Sequence, residues 1–337
     1  MYCDTDYRHM VTKNAMVESP EKVLNMFNET EVVEILLLGF QNPQNVNSFL
    51  SVLFLVIYIL TLVGNLLIIV LVAKFQRLKS PMYFFLTQLS VCDILVSTII
   101  VPNMLHVIIN GGSRISLTGC ITQFYFFSIS EATECFLLTM MSYDRYLAIC
   151  HPLHYTSIMG FRLYLQLILI SWLLSCILSF SDAPFLSVLE FCGRVIDHYF
   201  CDLAPLIELS CTKHTLLELV DLIIGIPCVG VPFFFIIFTY VSIFITILGI
   251  SSSIGRQKAF STCSSHLTVV CAYYGTMVVV YIAPTKRHSF NVIKVLSLLF
   301  SMLCPFSNPI IYSLRNEDIK ISLKKFLSKS PRGIMGN

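Results

Sequence analysis

Three acidic residues lie inside long apolar stretches of the sequence, where a charge is costly. Asp93 ends the string LSVCD, and Glu131 and Glu134 stand three residues apart further along the chain. At membrane depth such a group has to be paired, hydrated or neutral. Asn65 and Asn308 lie in other apolar stretches and are candidate polar neighbours of Asp93. Asp93 then either holds helices together by hydrogen bonds or acts as a switch linked to a proton or a cation.

The two glutamates are predicted to lie close to one face of a helix, because residues three apart are neighbours on a helix surface. Like charges at that distance disfavour two separate negative charges. Glu134 is also predicted to share the polar site of Asp93, where two acids would favour a bound cation or a shared proton, and to belong to the same switch.

An arginine between an aspartate and a tyrosine ends the third apolar stretch, at Asp144, Arg145 and Tyr146. The arginine can pair with its neighbouring aspartate in one state and be released to meet a partner in another. As a bare tripeptide the motif could also be only an interface anchor.

The last apolar stretch contains Asn308, Pro309 and Tyr312 in the string NPIIY. A proline there predicts a hinge, although proline kinks are common in membrane helices. We expect Tyr312 and Tyr240 to meet near Arg145.

Motifs of enzymes and transporters are missing from the sequence. The eight histidines are scattered, and neither HExxH nor GxSxG occurs, so we expect no catalytic residues, no metal site and no cofactor. A transporter often shows repeated halves with paired broken helices, and the chain has no internal repeat. No block of lysine and arginine indicates nucleic-acid binding.

Composition indicates a membrane protein that positions these residues on helices. The 337 residues are 56% hydrophobic and 12% charged, with a mean hydropathy of +0.78, whereas soluble domains carry roughly a quarter charged residues. A spanning helix needs about 20 apolar residues. Such stretches occupy residues 48–73, 81–109, 120–141, 163–180, 222–250, 267–284 and 295–314. The sequence predicts an all-α membrane protein with a seven-transmembrane helix bundle.

Basic residues predict the orientation of this bundle. Most lie in the connections and the tail on the side of the C-terminus, and the opposite side holds fewer: Arg114, Arg194, Lys213, Lys286, Arg287 and Lys294. Because cytosolic connections are richer in lysine and arginine, residues 1–47 are predicted to be an extracellular tail with a glycosylation sequon at Asn28. Residues 48–314 form the membrane domain and 315–337 a cytoplasmic tail, in which 316–327 predict a short amphipathic helix on the membrane surface.

Five strings occur in the order and spacing of one receptor family. They are PMYFFL (81–86), LSVCD, MSYDRYLAICHPLHY (141–155), KAFSTCSSHL (258–267) and NPIIYSLRN (308–316). Together they resemble the signature set of vertebrate odorant receptors, within the rhodopsin-like class of G-protein-coupled receptors, from about Met26 onward. Met26 resembles the usual start of a family member, so residues 1–25 are interpreted as an extension that is either untranslated or disordered.

The resemblance implies a multi-pass receptor of the plasma membrane and no enzyme. It would bind small, mostly apolar volatile molecules within the bundle and activate a stimulatory heterotrimeric G protein that raises cyclic AMP. The alternative is a receptor of the same fold that senses a small molecule other than an odorant, because a fold does not determine a ligand.

The resemblance also implies two disulfides, Cys120 to Cys201 and Cys192 to Cys211, rather than four free thiols. His198 lies between these cysteines. A single histidine among disulfide-bonded cysteines is interpreted as structural rather than as a metal ligand.

By the same resemblance, the ligand contacts the third, fifth and sixth spans and the second loop. The implied residues are Phe127, Ser128, Glu131, Ala132, Ile224, Gly225, Cys228, Tyr274, Met277, Val278 and Tyr281. Each of them could instead serve helix packing alone. Phe127 stands where receptors for biogenic amines carry an acid, which argues against such a ligand. Glu131 either recognises a cationic or hydrogen-bond-donating ligand or is neutral and bonded to a neighbour.

Overall fold

The computed structural model describes residues 34–181, 183–186, 189–211, 215–278 and 290–328. Its long helices pack side by side as a bundle. They are α1 (Gln44–Lys74), α2 (Pro81–Asn110), α3 (Leu117–Cys150), α4 (Phe161–Phe180), α5 (Thr215–Gly225 and Val231–Leu248, joined by the π-helical turn Ile226–Gly230), α6 (Ser253–Met277), α7 (Phe290–Leu298 and Cys304–Arg315, joined by the π-helical turn Leu299–Leu303) and α8 (Glu317–Ser328). Shorter helical turns lie at Gln76–Leu78, Tyr155–Ile158, Ala183–Leu186 and Leu203–Glu208.

Several described helices are long and apolar enough to cross a bilayer. They are α1, α2, the segment Phe161–Leu186 that includes α4, the segment Leu222–Leu248 of α5, and the segment Lys294–Arg315 of α7. Their outward faces carry exposed apolar side chains, such as Phe49 on α1 and Phe234 on α5. Because large exposed apolar surfaces are rare in soluble monomers, these faces fit a lipid environment. The protein is a multi-pass membrane protein.

Helices α3 and α6 extend furthest beyond the apolar stretches that indicated them. The third stretch was predicted for residues 120–141, but α3 runs on to Cys150, because charged residues end an apolar run without ending a helix. The sixth was predicted for 267–284, but α6 begins at Ser253, where the Ser252 hydroxyl accepts a hydrogen bond from the Gly255 amide at 3.3 Å. Residue 284 lies outside the described residues.

The central helix of the bundle is α3, which packs against α2, α4, α5 and α6. Phe127, Cys135, Leu138 and Met141 on it belong to a continuous apolar core. Its buried hydroxyls bond within the helix, as Thr133 does to the carbonyl of Ile129 at 2.7 Å. One rigid helix therefore runs from one end of the bundle to the other.

A small sheet covers the end of the bundle where α3 begins. Strand β1 (Glu34–Leu37) lies between β2 (Ser113–Ser116), to which it is antiparallel, and β3 (Val195–Ile196), to which it is parallel. We call this sheet, together with residues 197–201, the lid. The hydrophobic pattern did not predict these strands, because two to four residues are too few to show a period of two.

Both implied disulfides are present. Cys120 of α3 is bonded to Cys201 of the lid, and Cys192 is bonded to Cys211. The amide of Cys201 also donates to the side-chain oxygen of Gln123 on α3 at 3.0 Å. The lid is thus fixed to α3 by a covalent bond and a buried hydrogen bond.

Helix α8 packs at the opposite end, against α1 and the turn that follows it. The Asn316 side chain caps it by accepting from the amides of Asp318 and Ile319 at 3.0 and 3.2 Å. Tyr83 of α2 donates to the same oxygen at 3.0 Å, and Arg77 forms an ion pair with Asp318. These contacts fix the angle at which α8 leaves the bundle.

Candidate functional site

Asp93 joins α2 to α7. Its carboxylate is fully buried and accepts two hydrogen bonds from the Asn308 side-chain amide, at 2.9 and 3.2 Å. The prediction of Asn308 as its neighbour is confirmed. The Asn65 side-chain nitrogen donates to the carbonyl oxygens of Pro305 and Thr61 at 3.2 and 3.1 Å, so Asn65 as a neighbour of Asp93 stays a prediction. Asn65 therefore joins α1 directly to the backbone of α7.

Glu134 lies in the same buried region. It is 2% exposed, and one of its carboxylate oxygens has no hydrogen-bond partner within the described part of the chain. It lies close enough to Asp93 and to Glu131 to interact with them electrostatically. Three acids at this depth cannot all be charged without large cost, so the arrangement favours a shared proton or a bound cation.

Glu131 joins α3 to α6 through a residue that the sequence analysis missed. The Tyr273 hydroxyl donates to a carboxylate oxygen of Glu131 at 3.1 Å and lies 3.0 Å from the backbone carbonyl of the same residue. It is also 3.3 Å from the sulfur of Cys135. The neighbouring Tyr274, which was predicted, packs its ring against Phe233 at 5.1 Å. Adjacent helical residues point about 100° apart, and nothing in the sequence showed which tyrosine reaches Glu131.

The predicted ligand residues fall into separate groups. Phe127 is buried against Phe200 of the lid, with ring centroids 5.3 Å apart. Ala132 and Cys228 pack together in one small apolar cluster with Phe136. The partly buried members are Ser128, Glu131, Ile224, Gly225 and Met277. We call these five residues, together with Phe127, Ala132 and Cys228, the predicted ligand wall.

The remaining predicted ligand residues are Val278 and Tyr281. Val278 is 44% exposed, and its backbone is still helical, with φ −58° and ψ −42°. Its contact with a ligand stays a prediction. Tyr281 lies outside the described residues. The predicted sequon at Asn28 also lies outside them.

A cavity of about 320 Å³ lies elsewhere, between α6 and α7. Its lining is apolar and includes Gly275, Thr276 and Leu299, and none of the predicted ligand residues. Gly275 is exposed and has open space where a Cβ would stand. The cavity is therefore a surface crevice between two helices and separate from the predicted ligand wall.

An ion pair closes the other end of α3. Arg145 pairs with the fully buried carboxylate of Asp144, as the sequence predicted, and Tyr155 donates to the second oxygen of that carboxylate at 2.8 Å. Burial and the Asp144 carboxylate raise the pKa of Tyr155 above its ordinary value, so Tyr155 remains a donor at neutral pH. Tyr146 bonds to His151 at 3.0 Å, away from the pair.

Tyr240 and Tyr312 approach this end without bonding to each other. The Tyr240 hydroxyl lies 2.7 Å from the Nδ1 atom of His266. The Tyr312 hydroxyl is buried and has no hydrogen-bond partner within the described residues. The prediction that the two tyrosines meet near Arg145 did not include His266, to which the Tyr240 hydroxyl is hydrogen-bonded.

Pro309 marks a close approach of α7 to α1. The ring of Pro309 would lie 3.0 Å from a Cβ placed on Gly64. A side chain at residue 64 would force these helices apart, so the predicted hinge is packed directly against α1.

A sequence profile described as olfactory receptor matches residues 54–330. The chain belongs to the olfactory receptor family. Human olfactory receptors 11L1 and 1S2 are 43% and 44% identical to it over 90% of this chain, and the matches cover 94% and 93% of their own lengths. Mouse olfactory receptor 1M1 is 42% identical over 90% of this chain and 97% of its own.

The fold of this olfactory receptor is similar to that of squid rhodopsin. The two superpose with a TM-score of 0.66 at 16% identity, over 86% of this chain and 87% of the other. Members of the family are G-protein-coupled receptors for small odorant molecules rather than enzymes. The polar contacts of α3 are therefore part of a receptor.

Proposed function

We propose that this receptor binds small, mostly apolar volatile molecules between α3, α5, α6 and the lid. Binding activates a stimulatory heterotrimeric G protein, which raises cyclic AMP. The observation that carries the proposal is the course of α3. This single helix holds the lid through Cys120, carries Glu131 near its middle and carries the Asp144–Arg145 ion pair in its second half.

The proposed topology has seven crossings. Helices α3 and α6 carry more polar residues than the others, but both pack within the bundle alongside apolar helices, and seven crossings agree with the excess of basic residues on one side. Residues 1–47 would be extracellular, with Asn28 glycosylated, 48–314 would form the receptor domain in the plasma membrane, and 315–337 would be cytoplasmic. Helix α8, with Ile319 buried and Lys324 and Lys325 exposed, would lie on the inner surface.

The proposed mechanism is a shift between two states of the bundle. An agonist that prefers the open state increases its population according to its differential affinity. In the closed state Asp144 and Tyr155 hold Arg145. In the open state Arg145 would leave this ion pair and contact the G protein. Asp93, Glu134 and Asn308 would rearrange by transfer of a proton or a cation. Tyr240, Pro309 and Tyr312 would move with helices α5, α6 and α7.

The second candidate function is a receptor of the same fold for a non-odorant small molecule. It is favoured by Glu131, a carboxylate that together with Tyr273 offers a polar anchor in a largely apolar wall. A ligand with a donor or a positive charge would be recognised there. The two functions share one binding site and one signalling route, so they differ only in the agonists that work.

Cyclic AMP in cells that express the receptor, screened against odorant mixtures, tests the proposal. We expect a dose-dependent rise that Arg145→Ala abolishes and that Arg162→Ala retains, because Arg162 is an exposed arginine on the same predicted side and outside the ion pair. Equal responses of wild type and Arg145→Ala would contradict the proposed role of Arg145. No response to any mixture by receptors present on the cell surface would favour the non-odorant alternative.

Glu131→Gln separates ligand recognition from helix packing. Agonists that carry a hydrogen-bond donor or a positive charge are expected to lose about tenfold or more in potency, because a hydrogen bond to a charged group contributes about 1.5–3 kcal/mol. Agonists without a donor are expected to keep their potency. Dose–response curves for both sets measure this, with Thr122→Ala, at an exposed position of α3 outside the predicted ligand residues, as the control. An equal shift for every agonist would show that Glu131 acts only through Tyr273 and packing.

A further inference from the structure

Lys294 is a lysine of α7 that is buried in the lid. Its side chain is 1% exposed, whereas its position in the sequence predicted a basic residue of the outer connections. The ammonium group donates to the Asp197 carboxylate at 2.5 Å and to the Gly39 carbonyl at 2.8 Å. A buried ammonium group needs such partners, because an unpaired charge away from water is very costly.

The three groups come from distant parts of the chain. Gly39 follows β1, Asp197 follows β3, and Lys294 lies in the first segment of α7. The Gly39 backbone has φ +63°, and a Cβ there would meet Val107 at 2.5 Å, so glycine is required to aim this carbonyl at the lysine. The Gly39 amide donates to the carbonyl of His198 at 3.1 Å. The lysine thus joins the N-terminal segment, the second loop and α7.

The residues after Asp197 form an aromatic layer beneath this contact. His198 packs on Tyr199 at 4.5 Å, and Tyr199 stacks on Phe40 at 5.6 Å. Burial and the nearby Lys294 ammonium lower the pKa of His198 to about 3, so its ring is neutral at physiological pH. The Tyr199 hydroxyl lies 3.4 Å from that of Ser301 on α7.

The last residue of this layer reaches the predicted ligand wall. Phe200 packs edge-on against Phe127 of α3, with centroids 5.3 Å apart. Because only two residues separate Phe200 from Asp197, a displacement of Asp197 moves Phe200 with it, and the disulfide at Cys201 is the next fixed point.

We infer that Lys294 is a positioning residue whose ion pair with Asp197 holds the aromatic layer closed over the ligand site. When this ion pair opens, the layer stays attached through the Cys201 disulfide and the contact of Tyr199 with Ser301, but it can move away from the bundle. Small molecules then enter from the lid side. The ligand part of this inference rests on the proposed function. The closure of the lid does not, and it can be measured without a ligand.

A cysteine introduced under the lid reports closure. Ser301 is fully buried beneath Tyr199, and Ser301→Cys changes one atom. Intact cells are treated with a membrane-impermeant methanethiosulfonate, and labelling of the surface receptor is measured over time. The receptor without the added cysteine gives the background from its native thiols.

Two changes open the ion pair and two serve as controls, all made in the Ser301→Cys parent. Lys294→Met removes the charge and keeps the chain length, and Asp197→Asn removes the partner charge at a position with 24% exposure. Asp197→Glu keeps the negative charge of the partner at this partly exposed position. Arg114→Met alters an ion pair of the same sheet, with Glu34 at 3.7 Å, in which both side chains are exposed.

We expect labelling at residue 301 to be slow in the parent and about tenfold faster with Lys294→Met or Asp197→Asn, a coupling of ordinary size between two sites. Asp197→Glu and Arg114→Met should label at the parent rate. Fast labelling in the parent, or the same rate in the parent and all four variants, would overturn the inference. If Lys294→Met does not reach the surface, Asp197→Asn decides alone.

An agonist found in the cyclic AMP screen gives a second readout. Lys294→Met is expected to change its half-maximal concentration about tenfold while the maximal response per surface receptor is kept. A lower maximum with unchanged half-maximal concentration would contradict a positioning role. If no odorant activates the receptor, the proposed function fails, and the labelling rates still decide whether the ion pair closes the lid.

Discussion

Cys120→Ser is expected to remove most of the receptor from the cell surface. The disulfide between Cys120 and Cys201 spans 81 residues, and a bond that closes a loop of this length contributes about 4–5 kcal/mol in the chain-entropy description. The change also separates the lid from α3, leaving the Gln123 hydrogen bond as a remaining attachment nearby. Staining of an extracellular epitope on intact cells, relative to total protein, measures the loss.

Two further serine variants make this result specific. Cys192→Ser opens a loop of only 19 residues, for which the expected loss is smaller, about 3 kcal/mol. Cys271→Ser removes a free, exposed thiol on α6 and should have no effect. Surface staining of Cys120→Ser equal to that of Cys271→Ser would contradict the importance of the α3 disulfide.

Asp144→Asn is expected to raise cyclic AMP in the absence of any agonist, by several-fold per surface receptor. The fully buried carboxylate holds Arg145 and accepts from Tyr155. Removing one partner of a buried pair costs about 3–5 kcal/mol, and since Arg145 is 13% exposed only part of this acts on the closed state. In the proposed mechanism the ion pair exists only in the closed state, so its loss destabilises that state alone and the population of the open state increases.

Tyr155→Phe is the matched control for this variant. It removes a hydrogen bond to the same carboxylate, which contributes about 1.5–3 kcal/mol for a charged acceptor, and leaves the ion pair. A smaller rise in basal cyclic AMP than that of Asp144→Asn is therefore expected. Arg145→Ala combined with Asp144→Asn should return basal cyclic AMP to background. Unchanged basal cyclic AMP in Asp144→Asn at normal surface density would show that the pair does not hold the closed state.

Sequence reasoning predicted the parts of this receptor that depend on composition and on adjacency. Long apolar runs gave the positions of the helices, because a bilayer imposes a minimum apolar length. Asp144 and Arg145 are neighbours in the chain, so their pairing required only that the helix continue. The disulfides followed from the family resemblance.

Contacts between segments that are distant in the chain were harder to predict from the sequence. Tyr273 and Tyr274 are chemically the same, and only the rotation of α6 about its axis brings Tyr273 to Glu131. Lys294 looks like a loop residue because its partners, Asp197 and Gly39, are 97 and 255 residues away. Asn65 and Asn308 are likewise equal candidates in the sequence, and the packing of α7 against both α1 and α2 assigned one to Asp93 and the other to Pro305.

The central place of β1 in the lid sets an order for biosynthesis. Leu36 and Leu37 are among the first described residues of the chain, yet they pair with Val195 and Ile196, which are made after the first four helices. Parallel pairing across so great a separation is slow to form. The edge of β1 that pairs with β3 therefore stays unpaired until more than half of the chain has been synthesised. Closure of the lid is a late step in the assembly of the receptor.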